Sequence, residues 1–541
     1  VPAVTGIQES RSGTLREGVL KKKLLRKSRE LGTVGISHYQ SLYQGIQILK
    51  QTWLSITAHL LLLLLLTGCS SQGVSFKCPV SPELSASSSP RLALKNEFDA
   101  MIARELLPYS VASIKVVSLA NGSTVYETNP KLLLSAASLQ KLFTAATALS
   151  RLGPNHDIVT SIAVNSDNNT LYVRGCGDPL VKTGDLAHMV GELTGKLSPG
   201  RHYKLVGDTG CFDDAYWGNG WMWDDEPEPE AMFLSALSVN GNAVRVTVSP
   251  GKTASSLLEV STEPSTRYVF IKNTGKTGEG DGPCTVSITR PVGDRDNHIR
   301  VSGSLAPGCA SVSKRLTVWR PEQYFLTLLA ELLEKAGTKV SSPTPGVTPS
   351  DATTLATVGH PVGEIVSVML KSSDNLCAEN LLKYLAHVKT GQKGTIAEGG
   401  KVIKEYLQLH GIPADHVLIA DGSGVSRYNL TSADTITRLL VAAYRDRATF
   451  PIFVNSLPVA GSDGTLALRM KGTPAEVKLK AKTGTMKGVS ALAGYTISAD
   501  GEPLAFTMIM QNFIDSEQRV RDLLDRMAVL LSTSSVGHQE P

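Results

Sequence analysis

The sequence predicts a mixed α/β (α+β) architecture, in which helices enclose an antiparallel sheet and the middle of the chain is rich in strands. Three observations carry this expectation. A hairpin and a strongly apolar helix fall between residues 91 and 161, and three alternating runs follow Val477. Between them, from about Ile162 to residue 354, short strands and Gly-rich turns dominate. At 541 residues the chain is too long for one compact core, so two or three domains are expected. Hydrophobic content of 42% and charged content of 19% imply a conventional core.

The N-terminal segment stands apart from the fold. Lys50 precedes an apolar stretch that ends in the run Leu60 to Leu66. It is shorter than the roughly 20 residues of a membrane span and has the length of a signal-peptide apolar region. Leu66-Thr67-Gly68-Cys69 is similar to a bacterial lipobox, in which the Cys sulfur is acylated. Residues 49–68 are therefore expected to be a lipoprotein signal peptide, with Cys69 lipidated and the membrane reached through that lipid. An ordinary secretory signal with a nearby Cys is the plainer alternative. No Met precedes Met101. Translation from Leu49 would make residues 1–48 a mis-assigned start; the alternative is a long leader. The Ser/Pro-rich residues 69–90 read as a tether.

Residues 1–68 hold nine Lys/Arg and three Asp/Glu, so the rest of the chain carries a net charge of −1 against +5 for the whole. A near-neutral remainder gives no footing for nucleic acid. Of seven cysteines, six remain if Cys69 carries lipid. Cys284 and Cys309 flank two alternating runs joined by "PVGDRD", which predicts a hairpin closed by a disulfide. Cys176 with Cys211 is the second candidate pair, and Cys377 is expected free and buried. No CxxC or clustered His pattern calls for a metal, and no cofactor is expected.

In chain order, "NEFDAMIARELL" reads as a helix. "SVASIKVVSLANGSTVYETNP" reads as two strands turning at Asn121-Gly122. "SAASLQKLFTAATALSRLG" reads as a helix ending at Gly153, apolar on nearly every face and so buried. "SIAVNSDNNTLYVRG" is a hairpin, "GDLAHMVGELTG" a helix and "HYKLVGD" a strand. "YWGNGWMWDDEPEPEAMF" is an aromatic and acidic loop. "VRVTVSPG" through "IRVSGSL" is strand-rich, "PEQYFLTLLAELLEKAG" a helix and "SSPTPGVTPSDATT" a loop. Helical texture resumes at about Leu355. After Val477, where Val477, Leu479 and Ala481 alternate with lysines, three strands and the helix "SEQRVRDLLDRMAVLLS" close the chain.

Serine acyl transfer by one known arrangement needs S-x-x-K, S-D-N and K-T-G. S-x-x-K copies include Ser138-Lys141 and Ser311-Lys314, and S-D-N occurs at Ser166-Asp167-Asn168 and Ser373-Asp374-Asn375. K-T-G occurs four times, starting at Lys182, Lys276, Lys389 and Lys482. Ser138 and Lys141 open a buried helix, where i and i+3 share a face. Ser311-Lys314 leads into a strand and reads as surface. Ser166-Asp167-Asn168 sits in a hairpin turn, where Asp and Asn are turn formers. Ser373-Asp374-Asn375 precedes a helix, with an N-cap as the bland reading. Only Lys482 lies on an alternating strand, whose edge can hold an extended peptide with a lysine for its carboxylate. Its bland reading is a solvated strand face beside Lys478 and Lys480.

"LPVAGSDGTLALRMKGTPAEVKLKAKTGTMKGVSALAGY", "LIADGSGVSRYNLTSADT" and "MLKSSDNLCAENLL" resemble the class C low-molecular-mass penicillin-binding proteins, the D-alanyl-D-alanine carboxypeptidase/endopeptidases. The resemblance spans roughly residues 91–530. It implies a penicillin-binding-protein/β-lactamase-like transpeptidase domain interrupted by two inserted domains, which the 231 residues between Lys141 and Ser373 accommodate. The implied parts are a catalytic domain at 91–161 and 355–541, one insert at 162–242 and 315–354, and a second at 243–314. It implies Ser138 as nucleophile, Lys141 as base, Ser373 as proton relay and Asn375 as holder of the substrate amide. Lys482 and Thr483 would hold the terminal carboxylate, with Gly484 and Thr485 also on the substrate, and the main-chain N–H groups of Ser138 and Thr485 would form the oxyanion hole. Asp208, Phe212, Arg427, Met486 and Lys487 match stem-reading positions. The implied substrate is the peptidoglycan stem peptide, with β-lactams as inhibitors and a location outside the cytoplasm. A β-lactamase-like hydrolase and a non-catalytic peptidoglycan-binding lipoprotein are the rivals. The first needs a fast deacylating base, which the sequence does not offer, and intact motifs in order argue against the second.

Overall fold

A computed structural model describes residues 89–537, except 166–168, 199 and 515. The signal segment, Cys69, nearly all of the tether and the Ser166-Asp167-Asn168 copy lie outside the described residues.

Helix α1 (Pro90–Glu105) starts at Ser89, whose hydroxyl accepts the Leu92 N–H, with Pro90 at its first position. Strands β1 (Val111–Ser118) and β2 (Thr124–Thr128) form the expected hairpin, and Gly122 takes the left-handed φ of 78° that the turn requires. A 3-10 turn (Ala137–Leu139) leads into α2 (Gln140–Leu152), which stops where Gly153 adopts φ 81°. Residues 140–149 are all buried.

The middle of the chain runs β3 (Asp157–Asn165), β4 (Thr170–Gly175), α3 (Thr183–Leu193) and β5 (His202–Asp208). Then come β6 (Ala243–Ser249), β7 (Glu259–Glu263), β8 (Phe270–Asn273), β9 (Lys276–Thr277), β10 (Cys284–Thr289), β11 (His298–Leu305) and β12 (Val312–Thr317). Helix α4 (Pro321–Lys335), β13 (Lys339–Val340), β14 (Thr344–Pro345) and β15 (Thr353–Pro361) complete it. One sheet has the order β13-β5-β4-β3-β15, with β14 also on β5. Two smaller sheets are β12-β6-β7 and β10-β11-β8, with β9 also on β11. These strands share one apolar core with α3 and α4. Cys284 and Cys309 form a disulfide at the β10–β11 hairpin, and Cys176 is joined to Cys211. Cys377 is free and buried.

Two boundaries differ from expectation. Helical texture does not resume at Leu355, because β15 continues to Pro361 and pairs antiparallel with β3, Pro361 opposite Asp157. Its β-branched Thr353, Thr354, Thr357 and Val358 favour the strand. The segment read as a loop before it supplies β14.

The remainder is α5 (Val362–Lys371), α6 (Asn375–Thr390), α7 (Ile396–Leu409), α8 (Ala433–Arg445), α9 (Phe450–Ser456), β16 (Lys480–Met486), β17 (Val489–Ile497), β18 (Pro503–Gln511) and α10 (Glu517–Thr533). Strand β16 starts three residues later than expected, since Val477 takes φ 56° and is exposed rather than facing the core. An antiparallel sheet of order β16-β17-β18-β1-β2 joins the two ends of the chain. Alternation divides its faces. Leu492, Phe506 and Met508 pack with α1 and α10, whereas Ala491, Ala493 and Ile509 pack with α2, α5, α6, α7 and α8. The small residues on that second face let the serine-bearing turn lie close to the sheet.

Candidate active site

Ser138 sits in the 3-10 turn before α2, and Lys141 is the second residue of that helix. The preceding Ala137 is held at φ 48°, a strained conformation for a residue with a Cβ. Lys141 is fully buried. Its Nζ lies 3.0 Å from Ser138 Oγ, 2.6 Å from Asn375 Oδ1 and 2.7 Å from the Ser423 carbonyl. Three acceptors match the three donors of an ammonium. Burial nevertheless pushes its pKa down to about 8, against the upward pull of Asp421, Glu379, Asp374 and Cys377.

The side chains of Ser373-Asp374-Asn375 point to different neighbours. Asp374 is the N-cap of α6, accepting the Cys377 N–H at 2.8 Å. Ser373 and Asn375 line the cavity on either side of it. Ser373 adopts φ 62°, the second strained non-glycine at this site. Asn375 Nδ2 donates to the Glu230 carbonyl at 2.6 Å, which ties α6 to the aromatic and acidic loop.

Lys482 is not a solvated strand lysine. It is fully buried, and its Nζ donates to Ser373 Oγ at 2.9 Å and to the Thr483 carbonyl at 2.8 Å. Burial, and then the charge of Lys141, hold its pKa well below the usual lysine range. A Cβ on Gly484 would stand 2.7 Å from the Ala136 carbonyl oxygen. Glycine there is what lets β16 press against the serine turn. Thr483 Oγ1 lies 2.9 Å from Thr465 Oγ1.

These groups open into a cavity of about 630 Å³ lined by Ser138, Ser373, Asn375, Thr483, Thr485, Met486, Lys487 and Arg427. Arg427 donates to the Lys487 carbonyl at 2.6 Å. The aromatic and acidic loop also lines it, through Met222, Asp225, Glu228 and Glu230. Sequence reasoning gave that loop no task, although its acidic and aromatic density was a usable signal. Hollows of about 680 and 650 Å³ lie elsewhere, but neither is lined by a Ser–Lys pair.

Asp208 and Phe212 do not line this cavity, contrary to expectation. Asp208 is buried and accepts the N–H groups of Gly210 and Thr348 at 2.9 and 2.8 Å, so it braces backbone. Phe212 is buried beneath Gly177 and the Lys383 ammonium. Neither offers surface to a ligand.

The look-alike motifs have structural work. Ser311 bonds Ser249, and Lys314 pairs with Glu228 at 2.9 Å. Lys182 occupies the N-cap position of α3, Lys276 lies on β9, and Lys389 lies in the last turn of α6 and pairs with Glu405. Cys176, Cys211 and His387 bring ligand atoms within 4.8 Å of one another, but the two sulfurs are joined as a disulfide and His387 Nδ1 lies 2.6 Å from the Gln392 carbonyl.

A mixed fold with two Ser–Lys contacts beside one cavity is an arrangement that can carry out serine acyl transfer. Residues 94–534 match the D-Ala-D-Ala carboxypeptidase 3 (S13) family, and the chain belongs to it. It is a serine-type D-Ala-D-Ala carboxypeptidase. The D-alanyl-D-alanine carboxypeptidase of an Actinomadura species is 34% identical over 484 residues, 85% of this chain and 88% of that one. The carboxypeptidase DacB of Haemophilus influenzae is 26% identical over 415 residues, 74% and 83% of the two chains. A crystal structure of penicillin binding protein 4 (dacB) from Haemophilus influenzae matches with a TM-score of 0.70 at 23% identity, over 80% of this chain and 97% of that one. A second, complexed with a β-lactam, gives 0.65 over 80% and 98%. The family and fold expected from the sequence are those found.

Proposed function

We propose that Ser138 is the nucleophile of this carboxypeptidase and forms an acyl-enzyme with the penultimate D-Ala of a peptidoglycan stem. Ser138 Oγ attacks that carbonyl, and its proton passes to neutral Lys141 Nζ. The carbonyl oxygen, now negative, is held by the Ser138 and Thr485 main-chain N–H groups, each contributing about 10² to 10³ in rate. As the C–N bond breaks, Ser373 relays a proton to the leaving D-Ala amine. Lys482 and Thr483 hold its carboxylate, and Asn375 holds the substrate amide. Water then releases the stem. The observation that carries this reading is the pair of contacts, Ser138 to Lys141 and Ser373 to Lys482, opening into one cavity.

A β-lactam presents the same carbonyl and carboxylate without a departing amine, so it acylates Ser138 and stays. Glu379 and Asp421 are fully buried behind Lys141, which leaves them poor candidates for a deacylating base and disfavours rapid β-lactam turnover. Stem reading falls to Arg427, Met486, Lys487 and Asp225, which line the one cavity and carry charges of both signs, as a side chain bearing both amine and carboxylate requires. Cross-link endopeptidase activity belongs to the same chemistry. The enzyme works outside the cytoplasm, held there by lipid on Cys69. The two-insert domain division remains part of this reading. Labelling with a fluorescent penicillin tests it: Ser138→Ala abolishes the label, and persistent labelling of that variant overturns the assignment.

A further inference from the structure

Behind the reacting groups, α6 carries a carboxylate that no step above uses. Glu379 stands one helical turn beyond Asn375 and is fully buried. Its Oε1 accepts the N–H groups of Gly422 and Ser423 at 3.1 and 2.8 Å, and its Oε2 accepts Gly422 at 3.1 Å. These bonds aim two carbonyls at α2. That of Ser423 meets Lys141 Nζ at 2.7 Å, and that of Gly422 meets Thr144 Oγ1 at 2.9 Å. Asp421 holds the other half of the loop. It accepts the N–H groups of Gly424 and Ser426, Asn429 Nδ2 and Trp221 Nε1 at 2.6–2.9 Å.

We infer that Glu379 is a positioning residue that sets the proton affinity of Lys141, through the 421–424 loop it holds and through its own charge. The inference rests on reading Lys141 as the base. The groups that bear on Lys141 are Asp421 from the loop, Glu379, Asp374 and Cys377 from α6, and Lys482 from β16. Burial, and then the Asp421 charge, push the Glu379 carboxyl up to about 7, against its bonds from Ser423 and Gly422. Glu379 therefore changes charge in the range where Lys141 must shed its proton. Ionised Glu379 holds the lysine proton; neutral Glu379 lets it go. Because the Glu379 charge raises the Lys141 proton affinity, the two titrations are linked.

The test is the pH dependence of acylation by a fluorescent penicillin in wild type, Glu379→Gln and Glu379→Asp. With its amide oxygen at the Oε1 position, Gln keeps the bonds from Gly422 and Ser423 to that atom, gives up the second Gly422 contact at Oε2 and removes the charge. Its acid limb moves to lower pH by about one unit, while Glu379→Asp keeps the limb in place. A rate lowered equally at every pH, or a limb that stays or rises in Glu379→Gln, overturns the inference. Should Glu379→Gln fail to fold by circular dichroism, infrared difference spectra of wild type with isotope-labelled glutamate decide. A buried glutamic acid titrating near neutrality is expected, and its absence overturns the proposal. Labelling of Ser138→Ala is read separately, since its persistence would sink the nucleophile itself rather than this refinement.

Discussion

A lysine amine enclosed on every side must lose a proton to act as a base. With Lys141 shifted down to about 8, acylation rises with pH through that value and levels off above it, because the neutral amine is the reactive form. Stopped-flow acylation across pH checks this, and a rate that falls as pH rises through 8 contradicts it. Gly484→Ala places a methyl 2.7 Å from the Ala136 carbonyl. Expected are a stability loss of about 1–3 kcal/mol by thermal unfolding and a marked loss of labelling. As members of the candidate site, Ser138, Lys141, Ser373, Asn375 and Lys482 were legible because motif spacing together with helix and strand context separated them from the other copies. Glu379 and Asp421 were not, since a Glu in a helix and an Asp beside glycines read as surface and turn. Asp208 and Phe212 misled because position in a resemblance carries no information about burial.

Among the elements, the aromatic and acidic loop is held by a buried ion pair. Arg290 Nη1 meets Glu226 Oε1 at 2.9 Å, its Nε donates to the Thr317 carbonyl at 3.1 Å, and its guanidinium lies over Phe233. Arg290→Met strands a buried carboxylate next to Asp225 and costs about 3–5 kcal/mol. Chemical unfolding measures the loss, and KM is expected to rise more than kcat falls. A variant as stable as wild type contradicts this account. Helices and hairpins were legible where the local signal was strong: the amphipathic pattern of α4, the continuous apolar run of α2 and Asn121-Gly122 between β1 and β2. Strand β15 was not, because its half-exposed pattern lacks clean alternation, and β16 began late because Val477 turns outward.

At the level of the molecule, β1 lies between β2 and β18, so residues near 114 and 508 are paired although almost 400 positions separate them. The sheet that backs the site cannot form until the last strand is made, which makes its assembly non-local and slow. That closure brings Ser138, Ser373 and Lys482 together. The sequence announced the partners through their motifs but not their contacts, because packing over such separations leaves no local periodic trace. The most direct measurement is intact-mass analysis after benzylpenicillin, followed by peptide mapping. One adduct on the peptide containing Ser138, absent from Ser138→Ala, is predicted; an adduct on any other residue, or one that survives in Ser138→Ala, would contradict the account.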